Sequence, residues 1–136
     1  MKKPNWIDVD KDKMHGKEYF QEMEAEFPEL AEELNLHADY LIHLKMEVFS
    51  RYTNQQITDR NDKELVRCFH FQEQRLGRID SELENAIYVS YCETLLLENE
   101  KEVMKEKRAL MCDKLKWYYD DYVKHYMNLL NKSKEK

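Results

Sequence analysis

Glu93 is the first residue to weigh, because it stands inside the most apolar stretch of the chain, between Leu83 and Leu97. A carboxylate carried into a helical core needs a cation or a hydrogen-bond donor, since an unpaired buried charge is too costly to keep. Arg67, Arg75 and Arg78 on the preceding segment are the candidate partners. Two roles are open for Glu93: an acid or base with a raised pKa, or a polar pin that ties two helices together. The pin is the preferred reading, because spacing places no second catalytic group beside it.

The histidines and cysteines offer little more. His37 fills a gap in an apolar stripe, where a single imidazole more often serves as a hydrogen-bonded structural residue than as a ligand. The helical two-metal pattern needs Glu-x-x-His twice, and no histidine here follows a glutamate by three residues. His43 with Glu47 and His70 with Glu73 each share a helix face, but two ligands are too few for a metal. Cys68, Cys92 and Cys112 lie far apart and lack paired spacing, so they read as small apolar groups. Only two glycines, Gly16 and Gly77, are present. A phosphate-cradling loop, a dinucleotide fingerprint and a nucleophile elbow each need several, which removes those reaction classes. The expectation is a non-enzymatic chain without metal or cofactor, with an enzyme or metal protein built on Glu93 or His37 as an alternative.

The elements that position these residues are helices. Two glycines and two prolines in 136 residues leave scarce backbone for turns. Residues 1–16 read as an arm carrying Trp6, Ile7 and Val9, residues 17–130 as one helical domain, and residues 131–136 as a frayed basic tail. Tyr19, Phe20, Met23 and Phe27 recur at helical spacing up to Pro28. A stripe of Leu30, Leu34, Leu41, Leu44, Val48 and Tyr52 then predicts one helix over 28–53, or two broken near Asn35 to Asp39. Thr53 to Asp62 reads as a loop with several potential caps.

Leu65, Cys68, Phe69, Gln72 and Leu76 share the next face, and Gly77 supplies a left-handed stop. Ser81 followed by Glu84 has capping-box spacing, which makes 61–98 a tight helical hairpin. Residues 82–98 are apolar around nearly the whole circumference and form the expected buried central helix. On the last helix, Leu115, Tyr118, Tyr119, Tyr122, Tyr126 and Leu129 fall on one face. Trp117 lies off that stripe, exposed or covered by another element such as the arm. The expected fold is all-α, a single-domain bundle of five or six helices.

Charge is segregated along the chain. Residues 18–47 hold nine acids against the single base Lys45, a net −8, and residues 80–100 hold six acids and no Lys or Arg. Residues 101–136 hold ten bases against six acids, a net +4. Affinity for phosphate rests on cations, so nucleic acid is disfavoured as a partner. A basic protein partner is favoured. Glu22, Glu26, Glu29 and Glu33, at helical spacing, are the candidate contact residues, together with Trp117. The bland alternative is an acidic face that serves solubility alone. No stretch approaches the ~20 apolar residues of a membrane span, and residues 1–6 lack a secretion signal's apolar run. A cytoplasmic protein without a membrane partner is therefore expected.

The stretch from Cys68 to Asp80, followed by Glu84-Asn85-Ala86-Ile87-Tyr88-Val89-Ser90-Tyr91-Cys92-Glu93-Thr94-Leu95-Leu96, resembles the central hairpin of a family of small, all-helical, largely uncharacterised bacterial proteins. The likeness covers about 30 residues well and extends more weakly to Phe27-Pro28-Glu29-Leu30 and the last helix. Some members of that family resemble immunity proteins of polymorphic toxin systems. The resemblance therefore implies a protein that neutralises a basic toxin domain through an acidic helical face, and it supplies no catalytic residues. A structural or adaptor-type helical module is the alternative from the residues alone.

Overall fold

A computed structural model describes residues 12–134. Over that range the chain is all-α, with elements α1 (Gly16–Glu26), a 3-10 turn (Pro28–Leu30), α2 (Ala31–Leu34), α3 (Ile42–Thr58), α4 (Asp62–Arg75), α5 (Ser81–Ala86), a π segment (Ile87–Tyr91), α6 (Cys92–Leu97), α7 (Lys101–Arg108) and α8 (Asp113–Lys134). The only β-type pairing among the described residues is an isolated bridge between Met14 and Ile79. The Trp6, Ile7 and Val9 group of the arm lies outside the described residues. The end of the arm is tied down: Met14 donates to the Arg78 carbonyl at 2.8 Å and accepts from Asp80 N at 2.9 Å. Residues 131–134 continue α8.

One rod, α5 through α6, lies against α3 and α8 and forms the centre of the bundle. Leu83, Ile87, Tyr91 and Leu95 are its fully buried face. Each step along that face is four residues, so an uninterrupted α-helix would drift by about 120° across it. The π segment absorbs one extra residue per turn and holds the four in line. The all-round apolarity of 82–98 thus reflects this device and not burial on every side. Leu97 is 50% exposed, and Tyr88, Val89 and Leu96 are half-buried.

Segment 28–53 is broken by the turns of Asn35–Leu41, with Pro28 in the first position of the 3-10 turn. The predicted stripe on α3 holds at Val48, which is buried, and in part at Tyr52, but not at Leu44. Leu44 is 41% exposed, whereas Ile42, Met46, Phe49, Thr53 and Ile57 are buried. Polar residues on that inner face are accommodated locally: Ser50 Oγ donates to the Met46 carbonyl and Thr53 Oγ1 to the Phe49 carbonyl, both at 2.9 Å. For the same reason Thr53 belongs to the helix, and the expected loop shrinks to Asp59–Asn61. There Asn61 Oδ1 accepts from Glu64 N at 3.3 Å and caps α4.

The predicted face of α4 is buried throughout, and Gly77 sits at φ 91° in the corner before α5. The cap of α5 falls one residue earlier than expected. Asp80 Oδ1 accepts from Leu83 N at 2.9 Å, and its other oxygen pairs with His15 Nδ1 at 2.8 Å. Ser81 is consequently the first helical residue. The core at this end of the bundle is aromatic: Phe27, Phe49 and Phe71 meet with ring centroids 5.1–5.7 Å apart, and Tyr91 stacks on Phe49.

Cys68 and Cys92 are buried and Cys112 is exposed. Burial pushes the Cys68 thiol up to about 12 and Cys92 further. A thiol reagent should therefore titrate Cys112 alone in the native protein and all three cysteines in denaturant. The unfolded thiols ionise near 9 while the folded ones keep their protons. Their contribution to stability is thus complete below about pH 9 and is lost as pH rises above it. Fast native reaction at Cys68 or Cys92 would contradict this packing.

Candidate functional site

The acids predicted as a contact surface are split over three elements. Glu22 and Glu26 lie on α1, Glu29 in the 3-10 turn and Glu33 on α2. Two of the four are ion-paired within the chain: Glu22 pairs with Arg75 at 2.8 Å and is half-buried, and Glu33 pairs with Arg51, while Glu29 meets the Tyr52 hydroxyl. The four are therefore not one uniformly exposed row, because arginines from α3 and α4 fold back over part of it. Glu26 and Glu29 are exposed, as are Glu18, Glu32 and Glu47.

Glu93 is half-buried rather than buried. Its partner is the Tyr122 hydroxyl, which donates to Oε2 at 2.5 Å, and not an arginine. Arg67 is held instead by Glu64 and the Glu26 carbonyl, and Arg75 by Glu22. The pin between helices thus joins α6 to α8. Glu93→Ala should cost about 0.5–1.5 kcal/mol, the value of one hydrogen bond at a half-exposed position, read as a lowered urea midpoint. An unchanged midpoint would show that the contact is immaterial.

His37 lies in the turn before α3 and is half-buried, not a buried core polar group, because the chain has left helical geometry there. Neither His–Glu pair forms: His43 Nδ1 meets Ser90 Oγ at 2.7 Å, and Glu73 turns away from His70 to accept from Lys114 N and Leu115 N at 3.1 and 2.8 Å. That carboxylate caps the N-terminus of α8 from another helix. Among the described residues no group of three or more His, Cys, Asp or Glu comes together to hold a metal.

The arrangement richest in recognition chemistry is a cleft between α5 with the π segment on one side and α8 on the other. It has a volume of about 310 Å3, and the described residues that line it are Ser81, Glu84, Asn85, Tyr88, Trp117, Tyr118 and Asp121. Trp117, half-buried, meets Tyr118 edge-on with centroids 5.2 Å apart. Tyr118 Oη donates to Glu84 Oε1 at 2.7 Å, and Tyr88 Oη donates to Asp121 Oδ2 at 2.8 Å. Burial, and then these carboxylates, hold both phenols well above their usual range, so they remain donors at neutral pH. Of this set the sequence reading singled out only Trp117 as a contact residue. The four-residue repeat of apolar positions was the available signal for the π segment, whereas nothing local marks Glu84, Tyr88 and Asp121 as neighbours.

An all-α single domain is the class of protein these observations define. The chain belongs to the family described as a domain of unknown function, DUF7674, whose profile matches residues 20–128. Comparison with curated proteins and with solved structures returned no match. No helix among the described residues is long and apolar enough to cross a membrane.

Proposed function

We propose that this protein is a non-catalytic binding protein for a basic protein partner, its specific form being an immunity protein that neutralises a toxin domain. The observation that carries the reading is the placement of charge. The segment of net −8 puts Glu18, Glu26, Glu29, Glu32 and Glu47 on exposed positions of α1, the 3-10 turn, α2 and α3. Such a surface speeds encounter with a basic partner more than it tightens the final complex.

The protein is immobilised and exposed to a lysate of the source organism at roughly 50 mM salt, where charges act over about 14 Å. A protein with a net-positive domain is expected on the matrix, and it should be lost at roughly 500 mM salt. Association with that domain is then measured for the variant Glu18→Gln, Glu26→Gln, Glu32→Gln, Glu47→Gln, which spares the ion-paired Glu22 and Glu33. It should slow by about tenfold while dissociation changes little. Capture indifferent to salt, or an unchanged association rate in the folded variant, removes the reading.

A second reading, a structural or adaptor module, is favoured by the end of α8. Leu129 and Leu130 continue its inward face beyond the body and are 49% and 38% exposed. Burial of that end against another chain would show as a larger species in solution that Leu129→Glu dissociates.

A further inference from the structure

We propose that the exposed end of α8 in one copy of this protein docks on the junction between α2 and α3 of a second copy. This deepens the second reading given above and rests on it for the burial of that end of the helix. Apart from Val66 and Leu97, the large apolar side chains left exposed among the described residues fall in two short segments. One is Leu36 and Tyr40, exposed by 76% and 79%, with Leu44 in the first turn of α3. The other is Met127, Leu129 and Leu130, near the end of α8. Scattered apolar side chains on a surface need no explanation. Two groups set in opposite charge do.

The first group lies in the acidic segment, among the exposed carboxylates of Glu29, Glu32, Asp39 and Glu47, and Lys45, the one base between Glu29 and Glu47, is buried. The second lies in a basic one. From Tyr122 to Lys134 the chain carries Lys124, Lys132 and Lys134 and no acid. Apolar centres of this kind supply burial, while complementary charges at their rims steer the encounter and fix the register. The two halves stay apart within one chain. Helix α8 is continuous from Asp113 to Lys134 and holds no proline or glycine at which its end could turn back, and both groups remain exposed in the folded chain. A second copy brings them together. Packing two α8 ends on each other would instead set lysines against lysines, a like-charge arrangement that is costly. Because each copy carries both halves, the exchange is reciprocal, and its simplest closed form is a twofold dimer. Three apolar side chains from each side make a small seat, of the size class that forms and parts readily.

The test follows the full chain by sedimentation velocity from about 10 to about 500 μM at roughly 50 mM salt, where charges act over about 14 Å. A monomer–dimer equilibrium is expected. It should be weakened at least about tenfold by Leu129→Glu, by Tyr40→Ser, by the pair Glu32→Lys, Glu47→Lys and by the pair Lys124→Glu, Lys132→Glu. All of these positions are exposed, so each variant should keep the urea midpoint of the parent, and Leu36→Ser replaces Tyr40→Ser if that midpoint falls. The decisive variant carries both charge pairs reversed in one chain. Acid and base have then exchanged sides while the net charge is that of the parent, and dimerisation should return to within about threefold of it. A chain that is monomeric throughout, or a doubly reversed chain no better than either pair alone, overturns the proposal. A dimer that Leu129→Glu dissolves but Tyr40→Ser and Glu32→Lys, Glu47→Lys leave intact removes the seat at the α2–α3 junction and keeps the burial of α8 against another chain. A larger species indifferent to Leu129→Glu removes both.

Discussion

Replacing Phe49 by alanine should lower the free energy of unfolding by about 3–5 kcal/mol, the range for removing a fully buried aromatic ring. Phe49 is 0% exposed and stands where α1, α3, α4 and the π segment meet. It is 5.1 Å from Phe27, 5.4 Å from Phe71 and 5.6 Å from Tyr91, centroid to centroid. Because the three neighbouring rings come from three separate parts of the chain, the segment after α1, α4 and the π segment, no single one of them can move in to fill the space. A domain of this size is stable by only about 5–15 kcal/mol, so the variant should be marginal at 25 °C. Phe49→Leu, which keeps most of the volume, should cost well under half as much. Urea denaturation of both variants checks this, and a loss below about 1.5 kcal/mol for Phe49→Ala would mean that the ring cluster is not packed as described.

Tyr19→Phe should produce the second large effect, about 1–3 kcal/mol from the removal of one oxygen atom. Tyr19 and Gln72 are both 0% exposed, and the Tyr19 hydroxyl donates to Gln72 Oε1. Gln72 Nε2 in turn reaches Met46 Sδ at 3.6 Å. Burial holds the Tyr19 phenol far above its usual range, so the hydroxyl remains a donor throughout the physiological range. Its loss leaves an amide oxygen in the core with no donor. Removing both partners with Tyr19→Phe and Gln72→Leu should recover much of the loss, giving a coupling of at least about 1 kcal/mol in the double-mutant cycle. Strictly additive losses would show that the two groups do not depend on each other.

Those buried polar groups also mark where reading from sequence falls short. On α4 the inward face was legible because Leu65, Cys68, Phe69 and Leu76 dominate it and Gly77 ends it. On α3 the exposed Leu44 fell on the predicted stripe, whereas the inward face contains Lys45, Ser50, Thr53 and Gln56. Hydroxyls bonded to their own helix, and a lysine whose stem lies inward while Nζ sits 5.5 Å from the Phe20 ring centroid and 3.5 Å from Asp39, satisfy polar atoms in ways that hydrophobic periodicity does not register. On α8, Tyr118, Tyr119 and Tyr122 are buried as their spacing predicts, but Leu129 is exposed because the helix outruns the body it packs on.

The candidate site was less legible than the fold. Charge counted along the chain identified the acidic segment. The pairing of Glu22 with Arg75, 53 residues away, is a property of the tertiary structure and redistributes that charge. Glu84 has more polar neighbours in the sequence than Glu93. Glu84 is nevertheless the more deeply buried, and the Tyr118 hydroxyl of α8 donates to it.

The π segment makes one position in this chain tolerant of a change in length. In an ordinary helix, adding or deleting one residue turns everything beyond it by about 100° and exchanges inside for outside. Here the bulge already houses a supernumerary residue. Deleting one position within Ile87–Tyr91 would turn the four-residue steps into the alternating steps of an unbroken α-helix, leaving Tyr91, Cys92 and Leu95 facing inward. Family members one residue shorter at this point should therefore keep the same bundle while losing one of the groups that the bulge presents. Depending on which residue is dropped, that is the Tyr88 hydroxyl that positions Asp121 or the Ser90 hydroxyl that meets His43. Ancestral insertion at this site would have added surface chemistry without disturbing the core.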